Sequence, residues 1–279
     1  QPGHMVLVSC PPEQGQTTTL YSLVQKHDPY IQGVNTLEDT VAFELEGVSH
    51  RMIPSNTDAE VVNNQLGAII RSDPQVVLLT RFANARTARL AAKAAAEGIR
   101  FYVGMRNHDT FSTLRAWYKI IANPQAAAAA LGAIMAQRLV RKLCTTCRSP
   151  YRPDPAALKK LNLPPNKVEY LYKRSGQVIV GRKPRTCPDC HGLGYRGRIA
   201  VFEVMTLDDT ARELVAAGQT ETLRSHLRKR KMLWMQEAAL AKVVEGVSDI
   251  KEITRALAVR EPSKKARTSS GSGIPAIKD

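Results

Sequence analysis

Apolar residues along the chain fall into two textures. Unbroken apolar runs alternate with helix-spaced ones through the first half, and helix-spaced patterns dominate the end. Met5-Val6-Leu7-Val8-Ser9 is a continuous apolar run that meets a proline-rich turn, the pattern of a strand buried on both faces. Residues 17–26 place Leu20, Leu23 and Val24 on one helical face. Val76-Val77-Leu78-Leu79, preceded by Asp73-Pro74, predicts a second buried strand. An alanine-rich helix is expected over residues 87–97, ending near Gly98, and Phe101-Tyr102-Val103 opens another strand. Such alternation predicts right-handed βαβ units and an α/β fold with a mainly parallel sheet.

Leu131, Ile134, Met135, Leu139 and Leu143 recur at helical spacing, so residues 126–143 are expected to form one long helix. Residues 153–185 contain Pro164-Pro165 and no periodic pattern, and are expected to be an exposed excursion. Helices follow Phe202. Leu207, Ala211, Leu214 and Val215 share a face before Gly218, and a helix over 237–245 stops at Gly246. Ser248 is the expected cap of the last helix, with Ile250, Ile253 and Leu257 facing one way. From Glu261 onward serine, glycine, lysine and proline predict disorder. Gln1-Pro2-Gly3-His4-Met5 reads as a cloning remnant.

Composition narrows this little. The 279 residues are 43% apolar, enough for one large core or two small ones. No apolar run approaches the roughly 20 residues that span a bilayer. The net charge of +15 suits nucleic acid or an anionic surface, and equally a solvated basic face. Basic residues concentrate in Arg224–Lys231 and around Lys264, Lys265 and Arg267, with no interleaved aromatics for stacking on bases.

Cysteine changes the picture. Four of five cysteines form Cys144-x-x-Cys147 and Cys187-x-x-Cys190, separated by 39 residues. Two such knuckles close a tetrahedral four-sulfur site, and Zn²⁺ accepts it without redox demands. Four thiolates leave no open coordination position, so the expected role is structural. Cys10, left over, is expected to be a small buried hydrophobe.

Five stretches together resemble the C-terminal motor domain of type II secretion and type IV pilus assembly ATPases. They are residues 17–21, 36–39, 70–74, 136–144 and 187–198, the last two including the cysteine knuckles. The resemblance covers nearly all of residues 5–258. It implies a RecA-like P-loop NTPase core with a mainly parallel sheet, a tetracysteine zinc insert and a C-terminal helical subdomain. The implied boundaries are 6–143 for the core, 144–203 for the insert and following strand, 204–259 for the helical subdomain, and 260–279 for a disordered basic tail. It further implies a cytoplasmic protein, peripheral at the inner membrane through protein partners of the secretion or pilus platform, in a homo- or hetero-oligomer; the family is typically hexameric.

The motor chemistry departs from the family. A phosphate loop reads G-x-x-x-x-G-K-[ST], its glycines wrapping phosphate in backbone N–H groups and its lysine reaching the β/γ oxygens. Here the segment is Cys10-Pro11-Pro12-Glu13-Gln14-Gly15-Gln16-Thr17. Where the family has Gly-Glu after the strand that follows Asp73, this chain has Thr80-Arg81. Ile99 and Arg106 stand at the family's histidine positions. Gly15, Gln16, Thr17, Thr18, Glu38, Asp73 and Arg81 are therefore the remnants of a degenerate nucleotide site. Arg81 and Arg106 are expected to pair with Glu13 or Glu38 inside it, and His108 and Asp109 to be solvated. The resulting expectation is a pseudo-ATPase with structural Zn²⁺, its ATP/Mg²⁺ binding put in doubt by these losses. It would serve as a scaffold, adaptor or non-hydrolysing subunit. The alternatives are an active ATPase with a variant site, a zinc-containing nucleic-acid binder, and, from Cys187-x-x-Cys190-x-Gly192-x-Gly194, a chaperone-type zinc repeat.

Overall fold

The computed structural model describes residues 5–164, 166 and 168–258. The expectations for residues 260–279 lie outside this range. The apolar run Met5–Ser9 forms β1, and a loop leads from it into α1 (Gln16–Val24). Then come β2 (Val34–Glu38), β3 (Ser49–Met52), α2 (Ala59–Arg71) and β4 (Val76–Leu79). They are followed by α3 (Ala85–Ala96), β5 (Arg100–Met105), α4 (Thr110–Ile121) and α5 (Pro124–Ala130). β6 (Leu131–Leu143) delivers Cys144. Between the cysteine pairs lie β7 (Ser149–Tyr151), α6 (Pro155–Lys160), β8 (Leu171–Lys173), β9 (Gln177–Val180) and β10 (Lys183–Thr186). β11 (Tyr195–Thr206) returns to the main sheet, and α7 (Asp209–Ala216), α8 (Thr220–Lys229), α9 (Met235–Val244) and α10 (Ile250–Leu257) follow.

Seven strands make one sheet in the order β11-β6-β1-β5-β4-β2-β3. All pairings are parallel except β11 with β6. The α/β class and mainly parallel sheet expected from the alternation are thus observed. One face packs Leu7, Val77, Leu79, Phe101 and Val103 against α2 to α5, α7 and α8, with Trp117 wholly buried. The other packs Val8, Leu78 and Tyr102 against Leu20, Tyr21 and Val24 of α1. Met5, set apart in the sequence with the leading residues, is the first residue of β1 and wholly buried.

The long helix expected over 126–143 is a correction. Helix ends at Ala130, and residues 131–143 run as a strand between β1 and β11. A strand covered on both faces loses strict alternation, and its apolar residues happened to repeat at helical spacing. Hydrogen bonds to two distant strands decided the matter. The excursion between the knuckles is also ordered: Leu158, Val168 and Leu171 join a second core with Ala136, Val140, Val201, Met235, Val243 and Ile253. Asp249, not Ser248, caps α10, accepting from Glu252 N–H at 2.8 Å. The Ser248 hydroxyl donates to Arg141 O instead. No helix among the described residues is long and apolar enough to cross a membrane.

Candidate functional site

The carboxyl ends of parallel strands and the amino end of the helix after β1 form the usual ligand crevice of such sheets. Here that edge holds a cavity of about 660 Å³, lined by Gln16, Thr17, Asp39, Thr80, Arg81 and Arg106 with apolar Phe82, Met105 and Ile120. A second, of about 690 Å³, lies across the loop between Glu13, Thr18, Gln137, Leu139 and Arg198.

The loop is tied to the rest of the protein at several points. Pro11 and Pro12 carry no N–H. Glu13 (φ 62°) and Gly15 (φ 82°) are left-handed; glycine adopts this freely, glutamate at a cost of about 1 kcal/mol. Gln14 O accepts from Gln137 Nε2 at 2.6 Å, and Gln14 Oε1 accepts from Leu139 N–H at 2.8 Å. Thr19 Oγ1 donates to Gln137 Oε1 at 2.5 Å.

Gln16 lines the cavity with its amide nitrogen committed to the sheet. Its Nε2 donates to Val8 O at 2.8 Å and Met105 O at 2.6 Å, bridging β1 and β5. It fits because residue 104 is glycine: a Cβ there would stand 3.0 Å from Gln16 Oε1 and 2.3 Å from Thr80 O.

Across the cavity Arg81 Nε donates to both Asp39 oxygens at 2.9 and 3.0 Å, and Nη2 donates to Ser55 O at 2.9 Å. The expected pairing with Glu13 or Glu38 is corrected to Asp39. Glu38 is buried and accepts from Tyr21 Oη at 2.7 Å and His50 Nδ1 at 3.1 Å. Leu45 N–H donates to His50 Nε2, so the ring proton sits on Nδ1 and faces Glu38. Burial, then donation to Glu38, pushes Tyr21 up to about 12. Asp73 sits in the turn before β4, at the opposite end of that strand from Thr80 and Arg81. Thr17 lines both cavities, and Thr18 lines the second. His108 O accepts from Arg138, and Asp109 caps α4, so these loop residues have partners. Cys10 is buried as expected, and burial raises its thiol.

Several site residues escaped the sequence reading: Gln14, Asp39 and Gln137. Asp39 was adjacent to the carboxylate chosen. Gln137 shows its role only once residues 131–143 are a strand, because its side chain then faces the loop.

The four cysteine thiols are buried and lie within 4.8 Å of one another. Cys144 Sγ and Cys187 Sγ are 3.8 Å apart, Cys147 Sγ and Cys190 Sγ 3.6 Å. Sulfurs about 2.3 Å from a tetrahedral zinc stand about 3.8 Å from each other, so this donor set fits that ion. Each knuckle is a local turn. Arg148 N–H donates to Cys144 O at 2.9 Å, and Gly194 N–H to Cys190 Sγ at 3.2 Å, with Gly192 and Gly194 left-handed.

A sequence profile of the family described as Type II/IV secretion system protein matches residues 1–255. The type IV pilus assembly ATPase PilB of Thermus thermophilus is 27% identical over 256 residues, 91% of this chain and 28% of that protein. The type II secretion system protein E of Pseudomonas aeruginosa is 28% identical over 255 residues, 91% of this chain and 49% of that one. The chain spans about half or less of the length of these relatives. The fold is similar to that of the pilus retraction motor PilT with bound ADP, at a TM-score of 0.61 and 15% identity over 93% of this chain and 62% of that one.

Proposed function

The chain belongs to the Type II/IV secretion system protein family, and we propose that it serves there as a non-hydrolysing RecA-like module, a scaffold or adaptor in a type II secretion or type IV pilus machine. The observation that carries this reading is the position of Gln16. Its amide is spent on Val8 O and Met105 O, and it has no charge to offer a phosphate. Arg81 supports the reading, because by the resemblance it stands where the family carries a glutamate for metal and water, and its guanidinium is paired with Asp39 across the cavity. Losing the lysine alone removes a charged hydrogen bond of about 1.5–3 kcal/mol, about ten- to a hundredfold in affinity.

In this reading the four thiolates hold structural Zn²⁺ and the module sits at the cytoplasmic face of the inner membrane through protein partners. The ion supplies only cross-linking; the residues that hold it are Cys144, Cys147, Cys187 and Cys190. The test is calorimetry of zinc-loaded protein with ATP and ADP, with Mg²⁺, up to millimolar nucleotide. No heat and no thermal stabilisation are expected, and Gln16→Lys is expected to remain without ATP turnover. Mg²⁺-dependent turnover by the unsubstituted chain would sink the reading and favour the active variant site, whose retained hydroxyl is Thr17.

A further inference from the structure

The chain on every side of the cysteines grips one short segment, residues 246–252, at the start of α10. Ahead of Cys144, Leu143 N–H donates to Val247 O at 2.8 Å, and Arg141 holds Glu252 through its N–H at 3.0 Å and its Nε at 2.8 Å. Behind Cys147, Arg148 Nη1 donates to Gly246 O at 2.6 Å. Ahead of Cys187, Arg174 N–H donates to Asp249 at 3.3 Å, while Gly176 O accepts Cys187 N–H at 2.9 Å. Behind Cys190, Tyr195 Oη donates to Asp249 at 2.9 and 3.1 Å. Asp249 is the cap of α10. The opposite end of α10, Arg255 and Ala256, walls a cavity of about 510 Å³ shared with Pro11, Pro12, Glu13 and Arg106.

At the knuckles the apolar cluster is the four cysteines with Val178 beside them, while the second core and the Cys144 N–H to Gly194 O bond at 3.0 Å hold the flanking strands. Drawing the four sulfurs onto one centre falls to the metal. We infer that the tetracysteine centre is a clamp that sets the position of α10 and, through it, the cavity wall beside the loop Cys10–Gln14. The clamp rests on the zinc reading above. It acts by holding the Asp249 cap and the Glu252 carboxylate, while Ile253 in the second core keeps α10 from leaving altogether.

Hydrogen exchange on the full chain tests it, in three states: zinc-loaded, chelated under reducing conditions, and zinc-loaded Tyr195→Phe, with metal content measured in each. Tyr195→Phe removes one hydroxyl and keeps the ring. Amides of residues 250–257 are expected to exchange about tenfold faster in the second and third states, the effect of losing roughly one hydrogen bond. Residues 13–16 are expected to follow, with β1 and β5 unchanged. Zinc bound but α10 as protected after chelation and in Tyr195→Phe as in the loaded protein overturns the clamp alone. A chain that takes up no zinc overturns the metal reading and the clamp together.

Discussion

Gln16, at the start of α1, acts as a strut between two strands. A primary amide can donate two hydrogen bonds from one nitrogen, and here both go to strand carbonyls at the edge of the sheet. Gln16→Ala removes one donor from Val8 O and one from Met105 O, which keeps Cys10 N–H at 3.2 Å. A loss of about 0.5–1.5 kcal/mol per hydrogen bond is expected. Urea unfolding checks it; an unchanged midpoint would make the amide a bystander. At the same scale Glu38, the last residue of β2, and Asp39, the first beyond it, divide labour: Glu38 is buried against Tyr21 and His50, and the partly exposed Asp39 pairs with Arg81.

Glu252 is the pivot at the scale of elements. Its side chain is fully shielded and accepts from Arg141 on β6 and from Arg255 on its own helix. Burial alone would raise this carboxyl, but the Arg255 and Arg141 donors outweigh it and hold it down at about 2, against an ordinary 4.5. A lowered folded-state value means stability that is complete above about pH 4.5 and lost as pH falls toward 2. Glu252→Gln should therefore cost about 2 kcal/mol near neutrality, less than a fully buried pair because both arginines are about half exposed. Urea melts of both proteins under identical conditions should show the gap narrowing below pH 4.5. A gap that stays constant down to pH 3 would remove Glu252 as the titrating group. β6 is the other lesson of this scale. Its helical spacing misled because a strand covered on both faces needs no alternating pattern, and that spacing also concealed Gln137.

Across the whole molecule, the helices after β11 do not stand apart from the sheet. Met205, Leu207, Ala211, Val215, Leu223 and Leu227 lie in the same cluster as Leu7, Phe101 and Trp117. A chain ending at Thr206 is accordingly expected to lose cooperative unfolding, because it exposes the apolar side of α4 and α5. Calorimetry decides: a retained sharp transition would mark residues 207–258 as dispensable to the folding of the rest. The second core joins α9 and α10 to residues of the segment between the knuckles, which reads as featureless because its elements are only three to six residues long.

The chain's own pattern determined the α/β class, the buried strands β1, β4 and β5, and the four thiols that can meet at one ion. Those depend on residue type and local spacing, which are written along the chain. Tertiary structure alone decided that residues 131–143 form a strand, that Arg81 chooses Asp39, that Asp73 stays away from the cavity, and that Asp249 and Glu252 connect the cysteine knuckles to α10. Each of these is a contact between residues far apart in sequence, whose free energy arises only when the sheet brings the partners together. Arg141 and Glu252, 111 positions apart, carry no mark of each other until β6 and α10 pack side by side.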